Sequence, residues 1–453
     1  MKSMLLHGGH VIDPANDFDD LADVLVMDGI IERVEAPGQI RAREGVPSID
    51  VSGCWVLPGL IDPHVHLRDP GFPQKETIAT GLRAAAAGGF TAVAAMANTS
   101  PVNDTPDITK YMLDRAREVN ASRLVPVSAV TKALQGAELV DFAAMAKAGA
   151  RLFSDDGIPI DDQVILSRAL DELARLNFAV SLHEEDRHLS EEGAANAGEI
   201  SKRLGVKGYP NSAETARIRR DLALAIGTEA PVHVAHLSCA ESVELIRHAR
   251  RNGANVTCEV TPHHFWLDDH ALLEWGPNAK MNPPLRNRRD LEAIRAAMAD
   301  GAIDMIATDH APHDSASKNL DRLAGCFPMS HAHLPDDAAN AFMRAANGII
   351  GLETSLGLAM QLVHKQIISP RRMVEMMCVN SARLLRLDAG ALSPQIAADV
   401  TIVDPNFEWT VEPAKFLSKS RNTPFAGMRF RGKAMLTIVG GEIVYDGRGG
   451  ASV

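Results

Sequence analysis

The sequence is poor in the features that mark secreted, membrane-spanning or nucleic-acid-binding chains. Its five cysteines, Cys54, Cys239, Cys258, Cys326 and Cys378, are scattered and form no Cys-x-x-Cys pair. That argues against a disulfide framework and for a reducing cytoplasm. The first ten residues lack the long apolar core of a signal peptide. The most apolar stretch, 84–97, is interrupted by Gly88-Gly89 and is too short to span a bilayer. No basic stripe offsets the formal charge of −12, so neither nucleic acid nor membrane is expected as a partner. A Gly-x-Ser-x-Gly elbow and a phosphate-binding loop are also missing, which removes two common catalytic schemes.

What is present is a pattern of short apolar runs. With 453 residues, 46% of them hydrophobic, the chain suits a large α/β barrel with an appendage. Both ends read as strands and turns. The N-terminal runs are 4–6, 22–27 and 30–34, with Asp28-Gly29 as a hairpin signal. The C-terminal runs are 398–403, 432–439 and 442–445, with Gly440-Gly441 at a turn. The middle alternates strand-like and helix-like segments. Strands are expected from 57 and over 90–97, 124–130, 150–153, 178–182, 232–235, 255–260 and 303–307. Helical patterns lie between them, for example at 162–176, 212–226, 240–251 and 290–298. The fold expected is a (β/α)₈ TIM-like barrel over 57–387, with a small β-sandwich domain formed from both termini, 1–56 and 388–453.

Nearly every expected barrel strand ends on a polar residue, and in such a barrel those ends open on one face. The first run reaches His64-Val65-His66-Leu67-Arg68. Side chains two apart on a strand share a face, so the imidazoles of His64 and His66 point the same way. The later ends add Asp155-Asp156, His183, His236 and Asp309. Four imidazoles and two carboxylates suffice for a two-metal site with positions left for water or substrate. Such a pair would lower the pKa of bound water toward neutrality. Asp309 could then take a proton from that nucleophile and pass it to a leaving nitrogen. This is hydrolysis without a covalent enzyme intermediate.

Beyond the strand ends, longer motifs stand out. They include Gly59-Leu60-Ile61-Asp62-Pro63-His64-Val65-His66-Leu67-Arg68, Lys75-Glu76-Thr77, Asn98-Thr99 and Ser154-Asp155-Asp156-Gly157. Further on come Thr261-Pro262-His263-His264, Asn282-Pro283-Pro284-Leu285-Arg286, Ala307-Thr308-Asp309-His310-Ala311-Pro312-His313 and Gly351-Leu352-Glu353-Thr354. Over nearly its whole length the chain resembles the amidohydrolase superfamily, and within it the bacterial type I dihydroorotases. The resemblance implies reversible interconversion of N-carbamoyl-L-aspartate and (S)-dihydroorotate, an early step of pyrimidine synthesis. It implies one or two zinc ions per subunit, held by residues matching His64, His66, Asp156, His183, His236 and Asp309. Asp156 is preferred to Asp155 because the family's ligand directly precedes the glycine. Arg68, Asn98 and His313 are implied as contacts of the substrate carboxylate and Asn282 of the ring amide, with His66 also at the substrate. A two-pronged arginine contact suits a carboxylate. His263 and His264 read as supports that orient ligands or loops. A homodimer and a complex with aspartate transcarbamoylase are the assemblies such relatives suggest.

The pattern is broken in one place. The family's Pro-Phe-Gly, shortly before Gly-Leu-Glu-Thr, is replaced by Ala346-Asn347-Gly348. Upstream of it, Cys326 to Pro335 carries a second His-x-His, His331 and His333, with no apolar strand before it. We read it as part of a variable lid. Two competing functions follow from other relatives. A hydantoinase or allantoinase would normally carry a carboxylated lysine at strand four. A non-catalytic scaffold for the transcarbamoylase would have lost metal ligands.

Overall fold

Short apolar strands alternate with amphipathic helices through the middle of the chain, and in three dimensions they wind into a parallel barrel. The structure is a computed structural model that describes residues 2–41, 43–329 and 333–449. The barrel strands are β1 Leu60–Val65, β2 Phe90–Ala95, β3 Arg123–Ser128, β4 Leu152–Phe153, β5 Val180–Leu182, β6 Val232–Val234, β7 Val256–Val260 and β8 Met305–Ile306. They pair in sequence order. A bridge between Val65 and His310, with His66 N donating to His310 O at 2.9 Å, brings the last strand's end back to the first. Every residue of β1 and β2 is buried, as expected of strands covered on both faces.

The helices follow from local chemistry. In Gln163–Leu176 the Asp162 carboxylate accepts from Val164 N at 2.7 Å, capping the first turn. Ile165, Leu166, Ala169, Leu170 and Leu173 are spaced by three and four and lie buried against the barrel. Asn177, with φ 55°, stops the helix in the left-handed conformation. Truncating one such buried leucine would cost about 2–5 kcal/mol.

Both chain ends enter a single sheet built of eight strands. Asp28-Gly29 and Gly440-Gly441 make its tight turns at positive φ, as the dipeptides predict. Trp55–Pro58 is central. It pairs in parallel with His10-Val11 and antiparallel with 400–403, then runs through Gly59 into β1. The residues bearing His64 and His66 therefore emerge directly from the packed sheet. Two carboxylates secure the seam with the barrel: Glu353 accepts from Leu417 N (2.9 Å) and Ser418 N (3.0 Å), and Glu76 accepts from Ser418 Oγ (2.5 Å). No helix among the described residues is long and apolar enough to cross a membrane.

The segment read as a lid packs through apolar side chains on neighbouring elements. Leu323, Leu334 and Phe342, the last from helix Asp336–Arg344, join an apolar cluster with Ile200, Leu204, Leu272 and Leu285. His333 is exposed, while His331 lies outside the described residues.

Candidate metal and substrate site

All six residues expected as metal ligands are buried and converge at the C-terminal ends of the strands. Asp156 sits at their centre. Its Oδ1 lies 3.5 Å from His64 Nε2, 3.6 Å from His183 Nδ1 and 3.5 Å from His236 Nε2, and its Oδ2 lies 3.4 Å from His66 Nε2. Asp309 Oδ1 stands 3.0 Å from His66 Nε2 and 3.6 Å from His64 Nε2. Two groups result: His64, Asp156 and His236, and His64, His66 and Asp309. Asp155 is turned away, its carboxylate accepting from Val130 N at 2.7 Å and Thr131 N at 3.0 Å. Of the two adjacent acids, only Asp156 faces the centre.

Three histidines have one ring nitrogen fixed by an acceptor, which leaves the other for the centre. His64 Nδ1 donates to Glu259 Oε1 at 2.7 Å, His66 Nδ1 to Asn98 Oδ1 at 2.9 Å, and His183 Nε2 to Glu185 Oε2 at 3.3 Å. Such outward contacts set the tautomer and ring plane of a metal-binding histidine. His64 Nε2 and Asp156 Oδ1 are buried and have no hydrogen-bond partner. Ligands about 2.1 Å from a tetrahedral zinc ion stand roughly 3.4 Å from one another, close to the spacings seen here. The donor set fits a metal.

The charges are mutually dependent. Burial opposes ionisation of Asp156 and Asp309, but the neighbouring imidazoles outweigh it and hold both carboxyls below the usual range. Burial likewise opposes the charge on His64, and Asp156, Glu259 and Asp309 together hold its pKa well above the ordinary value. A cation entering the site would displace those protons. Arg68, His236 and Asp309 all have positive φ, at 59°, 33° and 44°, a backbone state that non-glycine residues adopt seldom and that gathers at functional sites.

Beside the candidate metal ligands lies a second group. Arg68 makes no ion pair among the described residues. Its Nη2 donates to His313 Nε2 at 3.3 Å and its Nε reaches Pro312 O at 3.4 Å. Burial, with Arg68 alongside, pushes the His313 pKa down to about 2, so its ring is neutral and its Nδ1 is left without a partner. Asn282 Nδ2 donates to Glu185 at 3.0 Å, and its Oδ1 is buried and unpartnered. Asn98 is partly committed to His66, but its Nδ2 makes only a long 3.4 Å contact with Asp156 O. His264 supports this side as expected, bridging Thr261 Oγ1 (2.7 Å) and Pro283 O (3.0 Å). His263 is buried, and its Nε2 has no partner. Glu185 and Glu259 were not among the residues expected. A carboxylate inside the apolar run 255–260 was a usable signal for Glu259, whereas nothing local marks Glu185.

Fold and site together define a class, barrel hydrolases whose strand ends carry residues that could hold metal. Residues 53–242 match the family model described as "Dihydro-orotase-like". The chain is 44% identical to the dihydroorotase of Desulforapulum autotrophicum over 97% of its length and 98% of that protein's. It is equally identical to the dihydroorotase of Citrifermentans bemidjiense, over 98% of this chain and 100% of that one. In fold it is similar to the L-hydantoinase of Arthrobacter aurescens, with a TM-score of 0.85, 24% identity, and coverage of 98% of this chain and 96% of that one. The chain belongs to the dihydroorotase family, and it is an enzyme, a cyclic amide hydrolase.

Proposed function

We propose that the chain is a zinc-dependent dihydroorotase of the bacterial type I kind, acting in the cytoplasm in pyrimidine synthesis. It would interconvert N-carbamoyl-L-aspartate and (S)-dihydroorotate. The observation that carries this reading is Arg68, without an ion pair among the described residues, at the same mouth as six candidate metal ligands. His64, His66, Asp156, His183, His236 and Asp309 would hold one or two ions. A bound metal pair supplies Lewis acidity and lowers the pKa of coordinated water. Asp309, held ionised, takes the proton released as water adds to the ring amide carbon and delivers it to the departing nitrogen. In the reverse direction it takes the proton of the attacking amide and returns it to the leaving water. Arg68, Asn98 and His313 grip the substrate carboxylate, Asn282 Oδ1 accepts from the ring N–H, and His66 borders the same space.

The strand-four aspartate disfavours a hydantoinase or allantoinase, and the intact ligand set disfavours a scaffold. The same reading takes 1–56 and 388–453 as one β-sandwich domain around a barrel of 57–387. Size measurement with and without aspartate transcarbamoylase would decide between a free homodimer and a joint complex. The test of function is turnover by metal-replete protein in both directions. Dihydroorotate and carbamoyl aspartate should each be consumed. Opening of hydantoin or allantoin with neither substrate consumed would assign the chain to another activity.

A further inference from the structure

Two lysines, Lys280 and Lys318, are buried at 3% and 0% exposure, and among the described residues neither pairs with a carboxylate. The Lys280 ammonium donates to Phe342 O (3.0 Å), Met343 O (2.8 Å) and Ala345 O (2.6 Å), at the C-terminal end of helix Asp336–Arg344. Phe342 O also accepts from the C-cap N–H of Ala345 at 3.1 Å, and carbonyls at a helix C-terminus lie at the negative end of its dipole. The Lys318 ammonium donates to Pro277 O (2.8 Å), Lys280 O (3.3 Å) and Ala346 O (2.9 Å). An ammonium has three N–H donors, and each of these meets three carbonyls. A buried charge without such partners would be costly.

The contacts join three segments that border the substrate pocket. Lys280 stands two residues before Asn282, Lys318 five residues after His313, and Ala346 two residues before Gly348. Backbone bonds run the same way, Gly348 N donating to Lys280 O at 2.9 Å and Ala346 N to Ser317 O at 2.9 Å. Gly348 has φ +150°, and a Cβ there would stand 2.7 Å from the His313 ring. A shift of this segment would therefore be felt directly by His313.

We infer that Lys280 and Lys318 are positioning residues, a two-ammonium latch that holds Asn282, His313 and Gly348 in register where the chain lacks Pro-Phe-Gly. The substrate role rests on the dihydroorotase reading; the latch itself does not. The experiment uses the full chain with Lys318→Met and Lys318→Ala, and Lys280→Met as a second route if either fails to fold. Lys318→Met should raise KM for dihydroorotate about tenfold and leave kcat within about twofold. Hydrogen exchange at the amides of Ala346 and Gly348 should accelerate while the barrel strands stay protected. Propylammonium, which restores the atoms removed, should return the KM of Lys318→Ala toward that of the parent. Unchanged KM, a fall in kcat alone, no rescue by the amine, or unaltered exchange at Ala346 and Gly348 would each overturn the latch. Absence of dihydroorotate turnover in the parent would instead overturn the functional reading and leave exchange to judge the latch.

Discussion

The two walls of the barrel mouth are built on different principles. On the side proposed to hold metal, the candidate ligands stand at strand ends, and His64 and His183 are each backed by a buried carboxylate, Glu259 or Glu185. On the side proposed to meet substrate, Arg68, Asn282 and His313 sit on loops, and those bearing Asn282 and His313 are held by backbone carbonyls gripped by lysines and by Asn422, whose Nδ2 bonds Ala311 O and Gly348 O at 3.0 Å. A metal site needs donors fixed to a few tenths of an ångström, which strands and charged hydrogen bonds provide. A pocket that must admit and release a substrate suits loops, whose backbone can be held without occupying the pocket with side chains.

Breaking the metal wall should have the largest effect. Asp309→Ala should lower kcat by about 10³-fold or more, since both a proton carrier and a ligand are lost; steady-state assay at saturating substrate reads it. One layer out, Glu259→Gln should weaken metal affinity about 10–100-fold by loosening His64, measured by competition with a chelator. An affinity equal to the parent's would mean that Glu259 merely fills space.

Breaking the substrate wall should act on binding. Arg68→Ala removes a charge-assisted contact worth about 1.5–3 kcal/mol, so KM for dihydroorotate should rise roughly 10–150-fold with metal content unchanged. An unaltered KM would count against its carboxylate role.

The smallest effect lies at the seam, where burial raises the Glu353 pKa from 4.5 to about 7. A raised folded-state pKa means the stabilising, protonated form is fully present below pH 4.5 and is lost as pH rises through about 7. Glutamine undergoes no such loss. The Tm of Glu353→Gln should therefore gain on the parent's between pH 5 and pH 8, about the span of that titration, and a pH-independent gap would refute the effect.

Much of the metal wall was legible because strand periodicity and strand-end position are local properties. His64, His66, His183, His236 and Asp309 each follow an apolar run, and the structure gathers them as that pattern predicts. The choice of Asp156 over Asp155 needed the resemblance, since neither spacing nor propensity separates adjacent acids. Glu185, Lys280 and Lys318 were invisible for a different reason. Most of their partners lie far off in the chain: although Glu185 also meets His183 two residues away, its partner Asn282 is 97 residues distant, and the carbonyls gripped by Lys280 are 62 to 65 residues away. Long-range polar pairing leaves no periodic trace in the chain.

If the strand-end residues form a working metal site, turnover depends on the metal they hold. Metal content per chain and turnover of dihydroorotate should be determined on the same preparation, before and after chelation and again after zinc is restored. Activity that falls with the metal and returns in proportion to zinc bound is the predicted result. Full turnover by metal-free protein would contradict it.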